Sequence, residues 1–84
     1  MPVKVLFFAS LREALGTAAI EIELAPALST VGELREALAA RGGDWSALGA
    51  GKAVRAAVNQ DMVPASHPLR DGDELAFFPP VTGG

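Results

Sequence analysis

The sequence predicts an α+β domain in which one principal helix lies across one face of a mixed sheet of four to five strands. Three patterns carry that expectation. A short run rich in Val, Leu and Phe at residues 3–9 suits a buried strand. Ile20, Ile22 and Leu24 alternate with Glu21 and Glu23 at a strand's period of two, and Val31, Leu34 and Leu38 recur at a helix's period. One long helix covers only one face of such a sheet. The pattern does not fix strand order, so a ferredoxin-like arrangement is the competing architecture.

In chain order, the first strand has faces Val3, Val5, Phe7 and Lys4, Leu6, Phe8. Ser10-Leu11-Arg12-Glu13 has the form of a capping box, with Leu11 and Leu15 four apart and Gly16 placed to stop the turn, which predicts a short helix over 11–15. Residues 19–24 are then an edge strand wet on one side. Pro26 and Ser29 mark a loop, and Thr30-Val31-Gly32-Glu33 repeats the capping-box spacing at the start of the principal helix. Gly42-Gly43 stops that helix, and residues 44–48 allow one more turn burying Trp45 and Leu48. After a glycine-rich link at 49–52, residues 53–59 read as a strand and Asn59-Gln60-Asp61 as a turn. Met62-Val63 is a very short strand cut off by Pro64, and Asp71-Gly72 turns into the last strand, 73–78.

Half of the 84 residues are apolar and none is cysteine, which excludes disulfides, zinc-thiolate sites and a persulfide on this chain. Seven basic residues against ten acidic ones, with no basic cluster, argue against nucleic acid or an anionic membrane as partner. No apolar run approaches the roughly 20 residues of a membrane span, and residues 1–4 lack a signal-peptide pattern, so a soluble cytoplasmic protein is expected.

With Val3, Val5, Phe7, Leu75 and Phe77 turned toward the helix, the opposite face is left with Leu6, Phe8, Ala76 and Phe78. Two phenylalanines and a leucine on adjacent strands would form a contiguous apolar patch, which marks a partner surface unless Trp45 or the loop 64–70 folds over it. The patch adjoins the chain's end. Pro79-Pro80 cannot extend a central strand and acts as a stiff spacer, while Gly83-Gly84, lacking Cβ, can enter a channel too narrow for a side chain. From Pro80 onward the reach is roughly 16 Å at about 3.3 Å per residue. The expected organisation is a domain over 1–80 and a flexible Gly-Gly tail over 81–84.

Val5-Leu6-Phe7-Phe8-Ala9, Arg12-Glu13 before Gly16, Ala57-Val58-Asn59-Gln60, His67-Pro68-Leu69, Asp71-Gly72-Asp73-Glu74 and above all Phe77 through Gly84 resemble the small subunits of molybdopterin synthase, which are ubiquitin-like β-grasp sulfur carriers. The resemblance spans essentially the whole chain. It implies a β-grasp fold, adenylation of the Gly84 carboxylate by a ubiquitin-activating-like adenylyltransferase using ATP, and conversion to a thiocarboxylate. The tail, Val81, Thr82, Gly83 and Gly84, would then enter the large synthase subunit and give sulfur to cyclic pyranopterin monophosphate within a heterotetramer. Carried over by position, Phe8, Met62 and Phe78 match the family's hydrophobic partner contacts, with Pro79 and Pro80 leading into the tail. No bound cofactor and no catalytic group on this chain are implied. Two relatives share the terminal chemistry: ubiquitin-like modifiers joined to lysines, and thiamin-type sulfur carriers.

Other candidates read as structural. His67 lies before Pro68 in a loop with no ligand set near it in sequence. Asp71, Asp73 and Glu74 lack the full calcium-loop spacing, and the glycine pairs lack the Gly-Lys-Ser/Thr ending of a phosphate loop. Lys4 and Lys52 are ordinary surface charges.

Overall fold

In the computed structural model, residues 2–49 and 54–79 are described. Strand β1 (Val3–Phe7) leads into helix α1 (Ala9–Leu15) and strand β2 (Ala19–Ile22). A 3-10 turn at Pro26–Leu28 precedes helix α2 (Val31–Ala39), and a second follows at Gly43–Leu48. Strands β3 (Arg55–Val58), β4 (Asp61–Val63) and β5 (Glu74–Phe78) complete the order. The strand expected over 53–59 is observed over Arg55–Val58, with Val54 and Asn59 outside it, while Ala53 and residues 50–52 of the expected link lie outside the described residues.

The five strands form one mixed sheet in the order β2-β1-β5-β3-β4. The first and last strands sit side by side and parallel, with Val5 opposite Leu75 and Phe7 opposite Phe77, and every other pairing is antiparallel. This is the β-grasp arrangement, and it removes the ferredoxin-like alternative.

Helix α2 forms where the sequence places its cap. The Thr30 hydroxyl accepts from the Glu33 backbone N–H at 3.2 Å, while Glu33 Oε1 accepts from the Thr30 N–H at 3.1 Å. The helix buries Val31, Leu34 and Leu38 against Val3, Val5, Phe7, Leu75 and Phe77. Each such side chain contributes about 1.5–3 kcal/mol on burial. Ile20, Ile22 and Leu24 pack half-buried at the margin. Leu48 is fully buried and Trp45 half-buried, its ring set edge-on to Phe7 at 5.7 Å, with the Arg41 guanidinium 4.9 Å from the ring centroid. Arg35 ties the second 3-10 turn to α2, donating from Nε to the Leu48 carbonyl at 2.7 Å and from Nη2 to the Gly49 carbonyl at 3.0 Å.

One expected cap does not form. Helix α1 begins at Ala9, not Leu11; its N-cap is Phe8, and no side chain caps it. Ser10 lies inside the first turn because the chain reverses abruptly after β1, with Ala9 in the left-handed region at φ 51°. Phe8 stays extended, at φ −120° and ψ 154°, and accepts the Leu11 N–H at its own carbonyl. That extended backbone continues the β1 strand far enough to project the Phe8 ring from the sheet.

Candidate partner-docking face

The face of the sheet away from α2 is open. Trp45 packs on the other side, against Phe7. The loop 64–70 is also held on the helix side: the Val31 N–H donates to the His67 carbonyl, Gly32 to Ala65, and Leu69 to Ser29. Neither of the two expected covers reaches the open face.

Strand register places its residues in rows, because residues opposite one another share a face and alternate with their chain neighbours. The middle row runs Ala19, Leu6, Ala76, Ala57 and Met62 across all five strands. One row toward the chain's end, Phe78 stands opposite Arg55. Phe8, just beyond β1, stacks on Phe78 with ring centroids 4.9 Å apart and planes 7° apart. One row in the other direction, Lys4 lies between Glu21 and Glu74.

Phe8 is 40% exposed and Met62 58% exposed, and both are large apolar side chains. Phe78 and Pro79 are half-buried. Phe8 and Phe78 are thus brought together, whereas Met62 lies one row off, two strands from Phe78 and three from Phe8, roughly 10 Å and 14 Å across the sheet at about 4.8 Å per strand. Between them on the same face lie Leu6, half-buried, and Ala76 and Ala57, both buried, so every row member between the exposed rings and Met62 is apolar. Pro80, Val81, Thr82, Gly83 and Gly84 lie outside the described residues.

Sequence reasoning missed Ala57 and Arg55 on this face. The signal was available: Arg55 and Ala57 alternate with Ala56 and Val58, which join the core. Alanines carry too little contrast for the period of two to stand out.

The arrangement suits binding of an apolar partner surface. Among the described residues, no group of three or more His, Asp or Glu side chains could hold a metal ion. His67 is half-buried in the loop that braces α2, its backbone spent on Val31 and Pro64. Asp73 is held in a turn, accepting from the Asn59 amide at 3.0 Å and from the Arg70 backbone N–H at 2.9 Å. No helix among the described residues is long and apolar enough to cross a membrane.

Residues 5–84 match the profile of the ThiS family. The chain is 55% identical over 83 residues to the molybdopterin synthase sulfur carrier subunit of Escherichia coli (strain K12), covering 98% of this chain and 99% of that one. Among solved structures it is similar to the complex of subunits 1 and 2 of molybdopterin-converting factor from Helicobacter pylori 26695. That match has a TM-score of 0.69 at 27% identity and covers 100% of both chains. It is also similar to the small archaeal modifier protein 1 from Methanosarcina acetivorans, with a TM-score of 0.75 at 26% identity, covering 99% of this chain and 96% of that one. With the fold, the open face and these likenesses in agreement, the chain belongs to the ThiS family of ubiquitin-like β-grasp proteins and, within it, to the molybdopterin synthase sulfur carrier subunits.

Proposed function

We propose that this chain carries sulfur for molybdenum cofactor biosynthesis, in the cytoplasm, on the carboxyl group of Gly84. The observation that supports this best is the open apolar band of Phe8, Leu6, Met62 and Phe78 at the root of a chain end to which the family match extends. A carboxylate is a poor acyl donor. A ubiquitin-activating-like adenylyltransferase first joins it to AMP from ATP, releasing pyrophosphate, and a sulfur donor then displaces AMP to leave a thiocarboxylate.

The loaded tail, Val81 to Gly84, enters the large subunit of a heterotetrameric synthase. There its sulfur passes to cyclic pyranopterin monophosphate, and Gly84 is left as a carboxylate once water has supplied the oxygen. Two such transfers build the dithiolene. A thiocarboxylate is an anion at neutral pH, so the receiving site supplies the positive charge and hydrogen-bond donors. This chain contributes the reacting terminus and the docking face, and it needs no permanently bound cofactor. Contacts of Phe8, Met62, Phe78, Pro79 and Pro80 offset the entropy lost when the tail is threaded.

The reading is tested by mixing the thiocarboxylated chain with the large subunit and the pterin precursor. Loss of sulfur from Gly84 in step with dithiolene formation supports it, and retention of the thiocarboxylate in the presence of both counts against it. The likeness to a small archaeal modifier protein favours a second reading, in which Gly84 is joined to lysines of other proteins. A thiamin-type sulfur carrier would use the same terminal chemistry with a different acceptor.

A further inference from the structure

The docking face is electrically polarised. At its far end, Glu21 and Glu74 flank Lys4 in register, two carboxylates to one amine. At the end nearest the tail the only charged row member is Arg55, opposite Phe78 and two residues from Ala57 on the same strand. Arg55 is exposed, and among the described residues its side chain makes no hydrogen bond or ion pair. The two ends are four residues apart along β5, about 13 Å at roughly 3.3 Å per residue. That exceeds the Debye length of about 8 Å at physiological ionic strength, so a partner meets two separate charges rather than their sum.

Such a pattern gives orientation. The apolar band alone allows docking in more than one rotation, and only one of these aims the chain's end at a narrow channel. We infer that Arg55 is a specificity-determining residue for the docking proposed above, meeting a carboxylate at the mouth of the large subunit's channel while Glu21 and Glu74 meet basic side chains at the far end. This rests on the large-subunit reading and adds the chemistry of the surface that receives the chain. Complementary rim charges act chiefly on the association rate and on register. A planar guanidinium can meet a carboxylate with two parallel hydrogen bonds, which fixes orientation as well as charge.

The test is the association rate of the full chain with the large subunit at low and high salt, with thermal unfolding of each variant as the folding control. Arg55→Glu should associate about tenfold more slowly at low salt, and Arg55→Leu, which keeps a strand-compatible side chain, about threefold. Arg55→Lys should stay near the unmodified rate. Glu21→Lys should also slow association, and all these differences should shrink in high salt, where screening shortens to about 3 Å. Arg55→Glu and Arg55→Leu associating as fast as the unmodified chain at low salt would overturn the inference while leaving sulfur carriage intact. Failure of the unmodified chain to bind the large subunit at all would overturn both.

Discussion

Phe8 and Phe78 stack face to face across the parallel pair of first and last strands, ring centroids 4.9 Å apart and planes 7° apart, on the face the helix does not cover. Their chain neighbours Phe7 and Phe77 point the opposite way and are sealed in the core, 6.2 Å apart. Two adjacent Phe-Phe pairs thus serve two purposes, set only by the alternation of a strand. Phe8→Ala and Phe78→Ala should each weaken large-subunit binding by about 1–3 kcal/mol, as interface anchors do. Either change should cost the fold less than it costs binding. Phe77→Ala should destabilise the domain by about 3–5 kcal/mol. Titration calorimetry beside chemical denaturation separates these outcomes, and equal losses of fold and binding in Phe8→Ala would make that ring a core residue.

The principal helix depends on its cap. Thr30→Ala removes the acceptor for the Glu33 N–H and should cost about 1 kcal/mol in denaturant melts.

Acid should weaken the same cap. The Glu33 carboxylate is held below its ordinary pKa chiefly by the Ser29 hydroxyl, which donates to it at 3.0 Å, helped by the Ser29 and Thr30 backbone N–H groups and the Thr30 hydroxyl and opposed by desolvation. Because the folded value lies below the unfolded one, this stabilisation is full above the unfolded glutamate value of about 4.3 and is lost as pH falls through the folded value. The melting temperature of the unmodified chain should exceed that of Glu33→Ala at neutral pH, with the gap narrowing below about pH 4. A gap that stays constant through that range would contradict the hydrogen-bond account.

Arg35 acts as a brace. Its guanidinium satisfies the carbonyls of Leu48 and Gly49, where the second 3-10 turn ends. Arg35→Met keeps the aliphatic stem but loses both donors, and should cost about 1–3 kcal/mol. Hydrogen exchange should show the loss concentrated at residues 43–49, and uniform loosening of the whole sheet would refute a local role.

The chain's end is expected to matter for chemistry and hardly at all for stability. Deleting Gly84, or adding one residue after it, should abolish sulfur transfer while leaving the melting temperature within about 2–4 °C, since surface changes away from the core fall within about 0.5 kcal/mol and 1 kcal/mol moves the midpoint of a domain this size by about 4–8 °C. Full cofactor synthesis by either variant would remove Gly84 from the reaction.

The core was legible from the sequence because its residues are large and strictly periodic: Val3, Val5 and Phe7, and Val31, Leu34 and Leu38, all lie where their spacing places them. The open face was legible through the same alternation, since whatever faces the helix leaves its neighbours behind. Strand order was not, because pairing of first with last strand is a long-range choice that no local period encodes; it came from the family resemblance. The capping box read at Ser10 failed for a physical reason. Its residue types suit a cap, but the chain needs Phe8 extended for the stack with Phe78, so the helix starts at Ala9 with no side-chain cap. Arg55 escaped notice because the alanines around it blur the pattern that shows which way it points.

The most direct measurement is the intact mass of the chain after incubation with its activating enzyme, ATP and a sulfur source. Sulfur carriage predicts a gain equal to the replacement of one oxygen by one sulfur, located at Gly84 and lost again when the large subunit and the pterin precursor are added. A chain that remains at its original mass, or that appears only as an adduct on lysines of other proteins, would contradict it.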